Sequence, residues 1–240
     1  MMPGAVSGGA ALLFAALLNP AAQTQHAVEI ATPGSSVYTL QASDDGQRLV
    51  LVWDGGAEVI GRCSEKMLQW VDLERDGLSA SVVERNCGAT VDYATQVVVE
   101  GEGIREVVAV YQGRPRVSVS WDGVRLQTRH SWLPDNKVFL ERRSVAGFGI
   151  DHAAFGPAAR TTSQGALDES NRGWGTHGRS VGLPEEVLLR WAGWAQQASG
   201  LYRPEWGAWD DAAPYGDDPG GRQRIREGID EYASADEPPG

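Results

Sequence analysis

The sequence predicts a mainly β fold, an antiparallel sheet or sandwich with a short helical C-terminal extension. Three observations carry this. Short alternating runs rich in Val, Ile, Thr and Trp recur between residues 36 and 145, separated by Asp-Gly and Gly-Gly turns. Glycine is abundant, with 30 residues, and lysine is scarce, which suits turn-rich β structure better than a helix bundle. Apolar residues at helical spacing cluster after Leu183.

The first strands are Val37–Ala42, Gln47–Trp53 and Ala57–Ile60, joined by Ser43-Asp44-Asp45-Gly46 and Asp54-Gly55-Gly56. They read as a three-strand meander. Leu49, Leu51 and Trp53 point one way and Val50 and Val52 the other, which predicts a strand covered on both faces. Gln69–Glu74 reads as strand, and Asp76-Gly77 turns the chain into Leu78–Arg85. Val91–Glu100 follows, with Val91, Tyr93, Thr95, Val97 and Val99 on one face, then Glu106–Tyr111. Arg116–His130 is a hairpin about Asp122-Gly123. A two-residue loop there pairs Trp121 with Val124, Val119 with Leu126 and Val117 with Thr128. Lys137–Arg143 closes the β region.

Residues 146–182 are rich in Gly, Ala, Ser and Thr and read as a loop or linker. Residues 183–240 form a Trp-rich, helical and acidic region. A helix opens at Leu183-Pro184-Glu185-Glu186, carries Val187, Trp191, Trp194 and Ala198 as its stripe, and ends at Gly200. A second runs over Arg222–Ala233, with Ile225, Ile229 and Tyr232 on one face.

The first 23 residues have the shape of a signal peptide. An apolar run, Ala10–Leu18, precedes Asn19-Pro20-Ala21-Ala22, although no Lys or Arg occurs before Arg48. That run is too short to span a bilayer, so no membrane span is expected in the mature chain. A periplasmic or secreted protein is therefore expected. In that compartment the two cysteines, Cys63 and Cys87, are expected to pair. Closing such a loop contributes roughly 3 kcal/mol in the chain-entropy model. A free buried thiol and a nucleophilic Cys87 served by a histidine are the alternatives.

Around Cys87 the residues Arg85-Asn86-Cys87-Gly88-Ala89-Thr90, then Tyr93 and Thr95-Gln96-Val97, resemble the motif of a group of small uncharacterised bacterial exported proteins. Their pattern is R-D-C-G-A-T-T, an aromatic two residues later, then T-x-V on a strand. Cys63 and the V-x-V-x-W strand at Val117–Trp121 are similar to further features of the group. The departures are Asn86 for Asp and Val91 for Thr. The resemblance covers about residues 60–130 and implies an exported β domain without implying chemistry.

The net charge is −11, and Glu205–Gly240 carries ten acidic residues against three Arg. No basic stripe is available for phosphates, so nucleic acid is not an expected partner. Gly178-Arg179-Ser180-Val181-Gly182 matches a nucleophile elbow, but no strand precedes it and no His follows Ser180. Asp210-Asp211 and Asp217-Asp218 fit no calcium loop, and the four His have no zinc spacing. No metal or cofactor is expected. Trp191, Trp194, Trp206 and Trp209 either fasten the helices to the sheet or present rings to a ligand. The expected function is a non-enzymatic exported module that binds a protein or glycan partner. The alternative is a hydrolase with a site assembled from residues such as Asp92, His130 and Asp135.

Overall fold

The computed structural model describes residues 26–32, 36–74, 77–88, 90–101, 103–157 and 164–235. The expected signal segment, Asp76 and Ala89 lie outside them. In chain order the strands are β1 (Ala27–Ala31), β2 (Val37–Ala42), β3 (Arg48–Trp53), β4 (Gly56–Arg62), β5 (Ser64–Asp72), β6 (Ser79–Asn86), β7 (Ala94–Gly101) and β8 (Ile104–Gln112). They continue as β9 (Val117–Trp121), β10 (Arg125–Ser131), β11 (Val138–Glu141), β12 (Ser144–Val145) and β13 (Phe148–Phe155). The helices are α1 (Gln164–Ser180), α2 (Glu185–Ser199) and α3 (Pro219–Ala235). The fold is mainly β, as expected, in three sheets of order β1-β2-β3-β4, β11-β8-β7-β6-β5 and β12-β13-β10-β9.

The first sheet is the expected meander with β1 added at its edge. Its inner face carries Ile30, Leu40, Leu49 and Leu51, all buried, against Trp194 of α2. Val50 and Val52 on the other face are only half-buried, so β3 is covered on one side, not two. Hydrophobicity on both faces of a strand did not imply two layers here.

The second and third sheets pack face to face around one core. Val82, Val97, Val99, Ala109 and Tyr111 meet Val119, Leu126, Phe148 and Ile150 there. At their margin the Gln69 side chain of β5 pairs with the backbone of β9. Its amide donates to the Val119 carbonyl at 2.8 Å and its carbonyl accepts from the Val119 N–H at 3.1 Å. The carboxamide thus continues the strand-pairing pattern across two sheets. The β9–β10 hairpin keeps the expected faces, but its register is two residues longer. Trp121 pairs with Leu126 and Val119 with Thr128. Asp122 causes this, because its carboxylate accepts from the Val124 and Arg125 N–H groups and holds a wider turn. Val91 and Tyr93 precede β7 instead of joining it, and Val91 packs in the other core, beside the cysteines. One strand pair, β10 with β13, is parallel.

The Cys63–Cys87 disulfide is present. Cys63 is the single residue between β4 of the first sheet and β5 of the second. The bridge therefore ties the junction of two sheets to the end of β6.

Residues 146–182 are not a loop. They contain β13 and the whole of α1. Four of the residues in α1 are glycine, which suppresses helix propensity and hides the helix from sequence patterning. Two of them, Gly175 and Gly178, serve packing. A Cβ on Gly175 would lie 2.0 Å from the Ile225 carbonyl oxygen of α3, and one on Gly228 would lie 2.0 Å from that of Arg172. The two helices cross in backbone contact, and no larger residue fits there. Gly173, two residues from Gly175, faces open space.

This contrast is testable within one helix. Gly175→Ala is expected to destabilise by about 3 kcal/mol through overpacking. Gly173→Ala is expected to stabilise by about 0.5–1 kcal/mol through helix propensity. Denaturant melts of the two variants check both signs.

Candidate functional site

A polar cleft of about 510 Å³ opens where the second sheet meets the three helices. Its sheet-side wall carries Asp92, which precedes β7, Gln112 at the end of β8, and Lys137 before β11. These three form a chain. Lys137 Nζ donates to Gln112 Oε1 at 3.0 Å, and Gln112 Nε2 donates to Asp92 Oδ2 at 3.5 Å. Asp92 is buried, and its other oxygen accepts from the Tyr93 N–H at 2.8 Å.

The helix-side wall is built by α1, α2 and the start of α3. Asp218 caps α3. Its carboxylate accepts from the Gly221 N–H at 2.9 Å, and Pro219 follows as the first helical residue. Gly221 has no side chain to block Asn171 of α1, whose amide nitrogen would lie 3.1 Å from a Cβ at that position. Asn171 lines the cleft and is buried, yet its Oδ1 has no hydrogen-bond partner. Behind it lies Asp217, 1% exposed, whose Oδ2 is likewise unpartnered. Burial, with Asp218 beside it, pushes the Asp217 carboxyl up to about 7. The Asp218 backbone N–H, the Gln196 side chain and the Arg222 charge oppose that shift.

One end of the cleft is aromatic. Trp206 stands edge-to-face with Phe139 at 6.2 Å, and the Arg203 guanidinium lies over Phe139 at 4.9 Å. Buried polar atoms without partners cost stability, so two of them beside one cleft mark a place suited to a ligand's hydrogen-bond donors.

The structure separates the sequence-derived candidates. Trp206 lines this cleft. Trp194 and Trp209 are buried, at 2% and 5% exposure, in the core between the first sheet and α2, so they fasten the helices and present no ring. Trp191 is half-buried and lines a different groove. Asp92 and Asp135 share the cleft, but His130 is not among its lining residues. It lies between the second and third sheets with Glu141, 3.4 Å from its Nε2, and the Tyr111 ring at 4.6 Å. The hydrogen bond to Glu141 raises the His130 pKa despite burial, and the same bond lowers that of Glu141. Ser180 ends α1 and donates to the His177 carbonyl, so the G-x-S-x-G match is a helix terminus and no elbow. Asp210 pairs with His26. Among the described residues, no group of three or more His, Cys, Asp or Glu is placed to hold a metal. Sequence reading missed Asn171, because it lies in the stretch read as a loop, and weighed Asp217 only as part of an acidic pair that fits no calcium loop.

No protein-family model, curated protein or solved structure matches this chain. No helix among the described residues is long and apolar enough to cross a membrane.

The Asp217 shift has a definite sign. A carboxyl whose folded pKa is raised leaves stability intact below the unfolded value and removes it as pH climbs to about 7. Asp217→Asn is therefore expected to melt higher than the parent at pH 8, with the difference vanishing near pH 4. Thermal melts across that range check this.

Proposed function

We propose that this chain is an exported, non-catalytic binding module whose cleft takes a glycan. The observation that carries the reading is Asn171 Oδ1, a buried acceptor without a partner on a residue that lines the cleft, with Trp206 at one end of the same cleft. Sugars present many hydroxyl donors and apolar C–H faces. A hydroxyl would satisfy Asn171 Oδ1, and the indole would take a ring face. The cleft volume lies within the range of about 300–1,000 Å³ usual for small-ligand sites. Export is supported by the N-terminal apolar run and by the disulfide, which persists in oxidising compartments.

A second reading is favoured by one feature. Asp217 keeps a proton to about pH 7, as a general acid must, and Asp92 and Asp135 share the adjoining cleft. On that reading the bound glycan would be hydrolysed.

A glycan array followed by calorimetry tests both. Trp206→Ala is expected to weaken binding by about five- to ten-fold through lost stacking, and Asn171→Ala to weaken it further. Binding without new reducing ends supports the module. Turnover that disappears in Asp217→Asn supports the hydrolase. If no glycan binds, or if both variants bind as the parent does, the cleft reading fails.

A further inference from the structure

A second concavity, of about 530 Å³, lies on the far side of α2. It forms where the inner face of the first sheet extends past its helical cover. Leu40 and Leu49 are fully buried beneath α2, but Tyr38 and Trp53, a cross-strand pair on that same face, are left partly open. The opposite wall is Trp174 of α1 and Trp191 of α2. Their rings stand perpendicular, at 86°, with centroids 4.2 Å apart. Two indoles at a right angle make a corner, and Tyr38 and Trp53 line the same groove.

Local chemistry sets this corner. A Cβ on Gly61 would meet Trp194 at 2.5 Å and the Trp191 indole nitrogen at 3.1 Å, so only glycine lets both rings seat on β4. Gly55 likewise leaves room for the Trp53 indole, which would lie 2.7 Å from a Cβ there.

Among the described lining side chains the one carboxylate is Glu58. Glu58 lines the groove, is exposed, and forms no hydrogen bond or ion pair among the described residues. No Lys or Arg is among the described lining residues, and His177 is the one basic type there. The last turn of α1, His177 to Ser180, borders the groove, and its Arg179 guanidinium is turned to the Leu183 carbonyl, to which it donates at 2.8 Å. Aromatic faces and an unpaired carboxylate both favour a cation. Several ring faces without a close hydrogen-bonding cage favour a cation whose charge is clothed in methyl groups.

We propose that this groove binds a quaternary or polymethylated ammonium group. The site is separate from the cleft and does not depend on what the cleft binds. Trp174 also has a buried indole N–H without a partner, a donor that an oxygen on the same ligand would satisfy.

The test is calorimetric titration of the full chain with choline and with its neutral carbon isostere, dimethylbutanol. The two have the same shape, so the difference isolates the charge. Choline is expected to bind about five- to thirty-fold more tightly, the range of desolvated cation–π contacts. Trp53→Ala and Glu58→Gln are each expected to weaken choline binding by about three-fold or more. Glu58 is exposed and unpaired, so its variant keeps the fold even if Trp53→Ala disturbs the sheet edge. The proposal is overturned if the isostere binds as well as choline, which would make the groove merely apolar. It is also overturned if neither binds, if Glu58→Gln leaves choline binding unchanged, or if methyl glucoside binds there in preference.

Discussion

The C-terminal turn of α2 ends against the outer face of the second sheet, where two buried side chains meet its last carbonyls. Arg85 Nε donates to the Ala198 carbonyl at 2.5 Å, and Gln96 Nε2 donates to that of Ser199 at 2.7 Å. Helix ends leave such carbonyls without partners, and here the sheet supplies the donors. Arg85 is 6% exposed, and burial lowers its pKa. Its ion pair with Glu65 opposes that loss of charge. Gly200 then takes the left-handed conformation and lets the chain turn away. Breaking this contact would leave buried carbonyls and a buried charge unpaired, a cost of several kcal/mol.

The first sheet, α3 and the loop after α2 are arranged about that docked helix. Its Trp194 face lies on the first sheet, and Leu188, Leu189 and Ala192 meet α3 through Ile225 and Ile229. Arg190 reaches past α2 to the Trp209 and Asp211 carbonyls, both at 2.8 Å, and fixes the loop that follows. Gly193 lets that loop come close, since a Cβ there would strike the Tyr215 carbonyl oxygen at 1.6 Å. The cleft and the aromatic groove lie on opposite sides of α2. Both are seams where one layer ends before the next has fully covered it. That placement explains why both hold unsatisfied groups. A core would have excluded them, whereas a seam keeps them available to a ligand.

The β class, most strands, the disulfide and both C-terminal helices were legible in the sequence, because period-two runs, a single pair of cysteines and capped amphipathic stretches are local signals. What failed was non-local. The glycines of α1 read as loop because the gain from Gly175 and Gly178 appears only when α3 and α2 lie against them. The hairpin register turned on one carboxylate, Asp122, bonding two N–H groups. The two faces of β3 looked alike in composition, yet only one has a partner layer. The Trp cluster was visible, but sorting Trp194 and Trp209 into the core and leaving Trp191 and Trp206 at openings needs the fold. Asp217 is the sharpest case. Four acids in a short acidic stretch look alike, and tertiary packing alone buries one of them.

The most direct test of this account is native-state hydrogen exchange on Arg85→Ala. If the docked end of α2 organises the molecule, protection falls together in α2 and in β1–β4, while β9, β10 and β13 keep theirs. If the loss is confined to the amides around residues 85 and 198, α2 is not the element on which the fold depends.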